Sequence, residues 1–84
     1  MATPYGASVM RAELDRLAYA PEGERNDTLY RVTVRLAELA AARHLDGVEV
    51  RRRVELAAEH AYQGAEPRER EATIESALRK VDVA

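Results

Sequence analysis

Four stripes of apolar residues, each spaced at intervals of three and four, run through this chain, and no alternating β-type run of useful length competes with them. Met10, Leu14 and Leu17 form the first stripe, and Leu29, Val32, Leu36, Leu39 and Ala40 the second. Val50, Val54, Ala57, Ala58 and Ala61 form the third, and Ile74, Leu78 and Val81 the fourth. That spacing places each set on one face of a helix. The predicted fold is therefore all-α: a single domain, residues 1–84, folded as a compact bundle of four helices with short connections, at about 6–18, 27–44, 47–62 and 67–80.

The breaks between stripes agree with this reading. Pro21 disfavours helix at Ala20, and Gly23 suits a turn. Asn26 is a candidate cap for the second helix, with Asp27 in the first turn and Arg43 and His44 in the last, each with the sign the helix dipole favours. Asp46 and Glu49 stand at capping-box spacing before the third helix. Gly64 ends that helix, and Pro67 suits the first turn of the fourth. The fourth helix frays beyond Lys80.

Composition limits what such a bundle can bury. The 46% of hydrophobic residues includes 16 alanines and four tyrosines, with no Phe or Trp. A domain of this size buries only about 60% of the surface its unfolded chain exposes. Marginal stability, or support from a second copy as a homodimer or from a partner domain, follows. With no cysteine there is neither a disulfide framework nor a thiolate metal site, and a reducing, cytoplasmic setting is the natural expectation. No apolar run approaches the ~20 residues of a membrane span, and the N-terminus lacks a signal-peptide pattern.

Catalytic chemistry has no foothold in the pattern. There is no GxGxxG or phosphate-loop motif, and the two serines, Ser8 and Ser76, belong to no local nucleophile motif. His44 and His60 lie on different predicted helices outside any metal-ligand spacing, which leaves a helix-terminal and a surface histidine. The acid pairs Glu13/Asp15 and Glu69/Glu71 are two residues apart, on different faces, and read as solvated charges. The expectation is a non-enzymatic protein with no metal and no cofactor.

Net charge is −2, too low for a chain that coats nucleic acid through charge alone. Residues 31–53, however, carry six arginines against three acids and lie between acidic flanks. Within them Arg31 and Arg35 lie about 40° apart on a helical wheel, a narrow basic stripe suited to phosphate contact. Arg25 and Asn26 precede it at a helix N-terminus, where backbone N–H groups and an arginine fork can hold a phosphate. The same Arg25 is equally suited to pairing with Glu22 or folding across the acidic fourth helix, as part of a structural joint. Arg51, Arg52 and Arg53 fan out by about 100° each and read as a solvated face beside Glu49 and Glu55. Tyr19, Tyr30 and Tyr62 have the rings to stack on bases, or to supply bulk to a core without Phe or Trp. Thr73 and Ser76 sit together beside the Ile74–Leu78 stripe, where they allow close packing or hydrogen-bond a neighbour such as Arg25 or Asn26.

Three blocks in order, Pro21-Glu22-Gly23-Glu24-Arg25-Asn26-Asp27-Thr28-Leu29, Leu45-Asp46 and Thr73-Ile74-Glu75-Ser76-Ala77-Leu78, resemble the C-terminal helical module of primases and bifunctional primase–polymerases of phages and plasmids. The resemblance spans nearly the whole chain. It departs from the family at Arg43-His44, where such modules usually turn with glycine, and at Ala77, where many have Gly. The catalytic primase–polymerase domain with its metal-binding carboxylates is absent, so the chain reads as an orphan accessory module or as an excised domain.

The resemblance implies a role in priming or replication without catalysis: contact with single-stranded template DNA, or positioning of a primase–polymerase or helicase partner. Arg25, Asn26, Arg31 and Arg35 are then the expected DNA-contacting residues, with Thr73, Ser76, Arg79 and Lys80 as neighbours. The rival expectation is a protein-interaction or dimerisation module that nucleic acid never touches, which includes a phage- or plasmid-encoded regulator that mimics the module.

Overall fold

The computed structural model describes residues 2–62 and 67–81. Among them four helices form: α1 (Pro4–Ala18), α2 (Arg25–Ala41), α3 (Gly47–Ala61) and α4 (Pro67–Val81), with a 3₁₀ turn at Glu22–Glu24 leading into α2. No strand occurs among the described residues. The all-α expectation therefore holds. Gly64 and the chain beyond Val81, on which two of the boundary expectations rest, lie outside the described residues.

Helix α1 starts two residues earlier than its apolar stripe suggests. Thr3 caps it, its Oγ1 accepting from the Gly6 N–H at 3.0 Å, and Pro4 occupies the first turn, where a missing N–H costs nothing. Asn26, expected to cap α2, lies inside that helix instead. The cap position is Glu24, which makes no side-chain capping bond, because the 3₁₀ turn already winds the chain into helix by Arg25.

At the other end α2 stops at Ala41 rather than His44. The Arg43 N–H donates to the Ala40 carbonyl at 3.0 Å and the His44 N–H to the Leu39 carbonyl at 2.8 Å. This is the paired-bond helix ending that normally uses glycine. Arg43 takes the left-handed conformation there, at φ 67°, which costs roughly 1–2 kcal/mol for a residue with a Cβ. Asp46 caps α3 as expected, accepting from the Glu49 N–H at 3.0 Å.

The core collects residues from all four stripes. Leu17, Leu29, Val32, Leu36, Val50 and Val54 are fully buried, with Ile74 and Ala58 beside them. Leu14, Ala40, Ala57, Ala61 and Leu78 pack at its margin. Two polar residues join this interior. Thr33 is fully buried and satisfies its hydroxyl by donating to the Leu29 carbonyl at 2.7 Å. Glu13, expected to be solvated, is buried, because three residues after Met10 and four before Leu17 it falls on the flank of α1 that faces α2. It pairs with Arg16 at 3.5 Å.

Helix α2 packs on all three others, most extensively on α4, while α1 and α4 make no contact among the described residues. The face of α2 that carries Tyr30, Arg31, Val34, Arg35 and Glu38 stays open beside α1, with Lys80 of α4 at its other edge. No described helix is long and apolar enough to cross a membrane.

Candidate functional site

The open face of α2 presents Tyr30, Arg31, Val34, Arg35 and Glu38, and α1 walls it with Val9, Ala12, Glu13 and Arg16. Lys80, in the last turn of α4, closes the far side. The concavity holds about 520 Å³. Four cations thus face two carboxylates across a partly apolar floor. Tyr5 adds to one end, its hydroxyl 3.5 Å from Arg35 Nη2. Glu13 is occupied by Arg16, and no carboxylate among the described residues lies within salt-bridge distance of Arg35 or Lys80.

The eight residues singled out in the sequence separate into groups. Arg31, Arg35 and Lys80 meet in this groove. Arg31 also pairs with Asp27 at 3.1 Å, an exposed bond one turn apart that is worth well under 1 kcal/mol. Asn26, Thr73 and Ser76 meet in a second groove of about 450 Å³ between α2 and α4, and Tyr30 lines both grooves. Thr73 Oγ1 is 2.7 Å from Asn26 Oδ1 and 3.0 Å from the Glu69 carbonyl. A hydroxyl has one proton. Both contacts are satisfied when the Asn26 amide turns its NH₂ toward Thr73, leaving that proton for Glu69. Arg79 is exposed and belongs to neither groove.

Arg25 stands apart from all of these. It is half-buried, and its Nε donates to the Ala20 carbonyl at 3.4 Å, across the turn that joins α1 to α2. It pairs with no carboxylate among the described residues, neither Glu22 nor the acids of α4. Its charge instead acts on Tyr62. Burial raises the Tyr62 phenol to about 12, and the nearby positive charge of Arg25 opposes that rise. The Tyr62 hydroxyl is buried with no hydrogen-bond partner among the described residues.

The four tyrosines divide in a way the sequence did not signal. Tyr62 is core, whereas Tyr19 is 86% exposed and Tyr5 53%. Tyr30 is half-buried. Arg51, Arg52 and Arg53 do fan out, and all three meet acids: Arg51 pairs with Glu55 and, across to α4, with Glu75, while Arg52 and Arg53 share Glu49. The hydrogen bond to Glu75 raises the Arg51 pKa, with partial desolvation opposing it. This face is therefore neutralised by its own pairs, unlike Arg35 and Lys80 in the α2 groove, which pair with no carboxylate among the described residues.

His44 is more than a helix-terminal histidine. Its carbonyl accepts from the Thr3 N–H at 2.9 Å, its Nδ1 lies 3.0 Å from Thr3 Oγ1, and its ring meets Tyr5 edge-on at 5.2 Å. His60 is exposed on α3, and no group of three His, Asp or Glu side chains among the described residues is placed to hold a metal ion. The residues that sequence reasoning missed at the groove are Arg16, Val9 and Ala12, whose spacing on α1 does place them on one face. No family model matches the chain, and no curated protein or solved structure is significantly similar to it.

Proposed function

We propose that this chain is a non-catalytic helical module that contacts the phosphate backbone of single-stranded DNA through the groove between α1 and α4, as an accessory to replication priming. The observation that carries the reading is the gathering of Arg16, Arg31, Arg35 and Lys80 over the open face of α2. A flexible strand can follow such a groove, and each phosphate neutralised releases a counterion. The replication role rests on the three sequence blocks that resemble the primase-associated module. In this assignment Arg31, Arg35 and Lys80 contact phosphate, while Asn26 and Thr73 hold α2 to α4 so that the two walls keep their spacing.

Binding of a fluorescently labelled single-stranded oligonucleotide, titrated at several salt concentrations, tests this. Replacing Arg35 and Lys80 together by Ala removes two phosphate contacts and flattens the slope of log affinity on log salt by about 1.4. Replacing the acid-paired Arg52 and Arg53 leaves it unchanged. Equal loss from both pairs, or none from either, overturns the assignment.

A second reading is favoured by a different surface. Val48 is 78% exposed and Leu56 47% on the outer side of α3, which suits a protein-interaction or dimerisation module. A melting temperature that rises with protein concentration supports that reading, and one independent of concentration removes self-association.

A further inference from the structure

Helix α1 carries a second pattern beside its core stripe. At 100° per residue, Tyr5, Val9, Ala12, Arg16 and Tyr19 fall within about 40° of one line along the helix. Both tyrosines at its ends are exposed, Tyr19 almost fully. Arg16 and Arg31 continue the main groove toward Tyr19, into a concavity bounded by Pro21 and Thr28. Tyr5 reaches Arg35 at the opposite end. Cations and aromatic rings therefore alternate along one track: the exposed Tyr19, then Arg16 and Arg31, the half-buried Tyr30, Arg35 and the exposed Tyr5.

A track used for phosphate alone has no use for the rings. A track for an apolar partner has no use for the cations. Single-stranded nucleic acid uses both, because its bases are free to leave the backbone line and stack. Duplex DNA offers the same phosphates with its base faces already stacked. Glu24 and Asp27 at the Tyr19 end, and Glu13 and Glu38 at the groove centre, repel phosphate and so restrict where the backbone can run.

We infer that the groove recognises a short single strand by base stacking on Tyr19 and Tyr5 at its two ends, with the phosphates between them on Arg31 and Arg35. Tyr5 and Tyr19 are 14 positions apart on α1, roughly 21 Å at the helical rise. At the 3.4 Å per nucleotide of a stacked strand, the track takes at most about six nucleotides. This inference rests on the assignment of the groove to single-stranded DNA.

The test measures affinity of the full chain for a labelled six-nucleotide single strand, for the same sugar–phosphate strand without bases, and for a duplex. The expected order is single strand tighter than duplex and tighter than the abasic strand. Tyr19→Ala weakens the single strand about fivefold or more and leaves the other two unchanged. Tyr19→Phe, which keeps the ring, restores the wild-type value. Because Tyr19 is exposed, the variant keeps its fold, which its melting temperature checks directly. Equal affinity for the abasic strand, with no effect of Tyr19→Ala, overturns the stacking inference while leaving phosphate contact in place. No binding of any strand at low salt overturns both.

Discussion

At the C-terminal end of α2, Thr3 reaches His44 through its backbone N–H and its hydroxyl, and the Tyr5 ring closes over the joint. At the N-terminal end, Asn26 meets Thr73 through one exposed side-chain contact, and Arg25 leans back onto Ala20. The glycines mark the contrast. A Cβ on Gly6 would collide with the His44 carbonyl oxygen, whereas a Cβ on Gly23 meets nothing within 4 Å. The first joint is sterically closed and bonded main chain to main chain. The second is open, with space on its surface. Thr3, Gly6 and His44 together tie the start of α1 to the chain just past the end of α2.

Substitutions that add the same methyl to the two glycines should separate the joints most widely. Gly6→Ala forces backbone against backbone and is expected to cost about 3 kcal/mol, which for a domain this small lowers the melting temperature by more than about 10 °C. Gly23→Ala, in a 3₁₀ turn with open space and no left-handed φ, is expected within about 0.5 kcal/mol of wild type. Thermal unfolding followed by circular dichroism reads both. Similar losses from the two would erase the distinction between the joints.

A smaller contrast follows from the threonine partners. Thr3→Ala removes a helix cap and the contact to His44 and is expected to cost about 1–2 kcal/mol. Asn26→Ala removes one exposed side-chain contact and is expected to cost about 0.5 kcal/mol. Chemical denaturation with a common slope measures the pair. Reversal of their order would move the structural clamp to the other end of α2.

Much of the architecture was readable because helical periodicity is a local property. Leu29, Val32, Leu36 and Leu39 could bury one face only by being helical, and they do. Thr3-Pro4 is also a local signal, a capping residue followed by a first-turn proline, and it marks the true start of α1. Asn26 misled because a good cap residue gives no sign that a preceding 3₁₀ turn has already started the helix. Arg43 and His44 misled because cations near a C-terminus suit the dipole equally inside the helix or just past it, and the usual glycine of that ending is missing.

The groove lies at a different level. The α1 line of Tyr5, Val9, Ala12, Arg16 and Tyr19 is visible on a wheel, but periodicity within one helix does not say which helix stands beside it. That α1 and α4 flank α2 without touching comes only from packing. Packing likewise moves Arg25 onto a carbonyl and brings Lys80 across to Arg35.

The sharpest division between the joint and the groove is between two arginines ten positions apart on α2, Arg25 and Arg35. Each can be replaced by Ala, with melting temperature and affinity for a labelled single-stranded oligonucleotide measured on the same samples. Arg25→Ala is expected to lower the melting temperature and leave affinity within about twofold, while Arg35→Ala leaves the melting temperature and weakens binding with a shallower salt slope. Loss of binding from Arg25→Ala at unchanged stability, with Arg35→Ala silent, would contradict it and place the phosphate site at the joint.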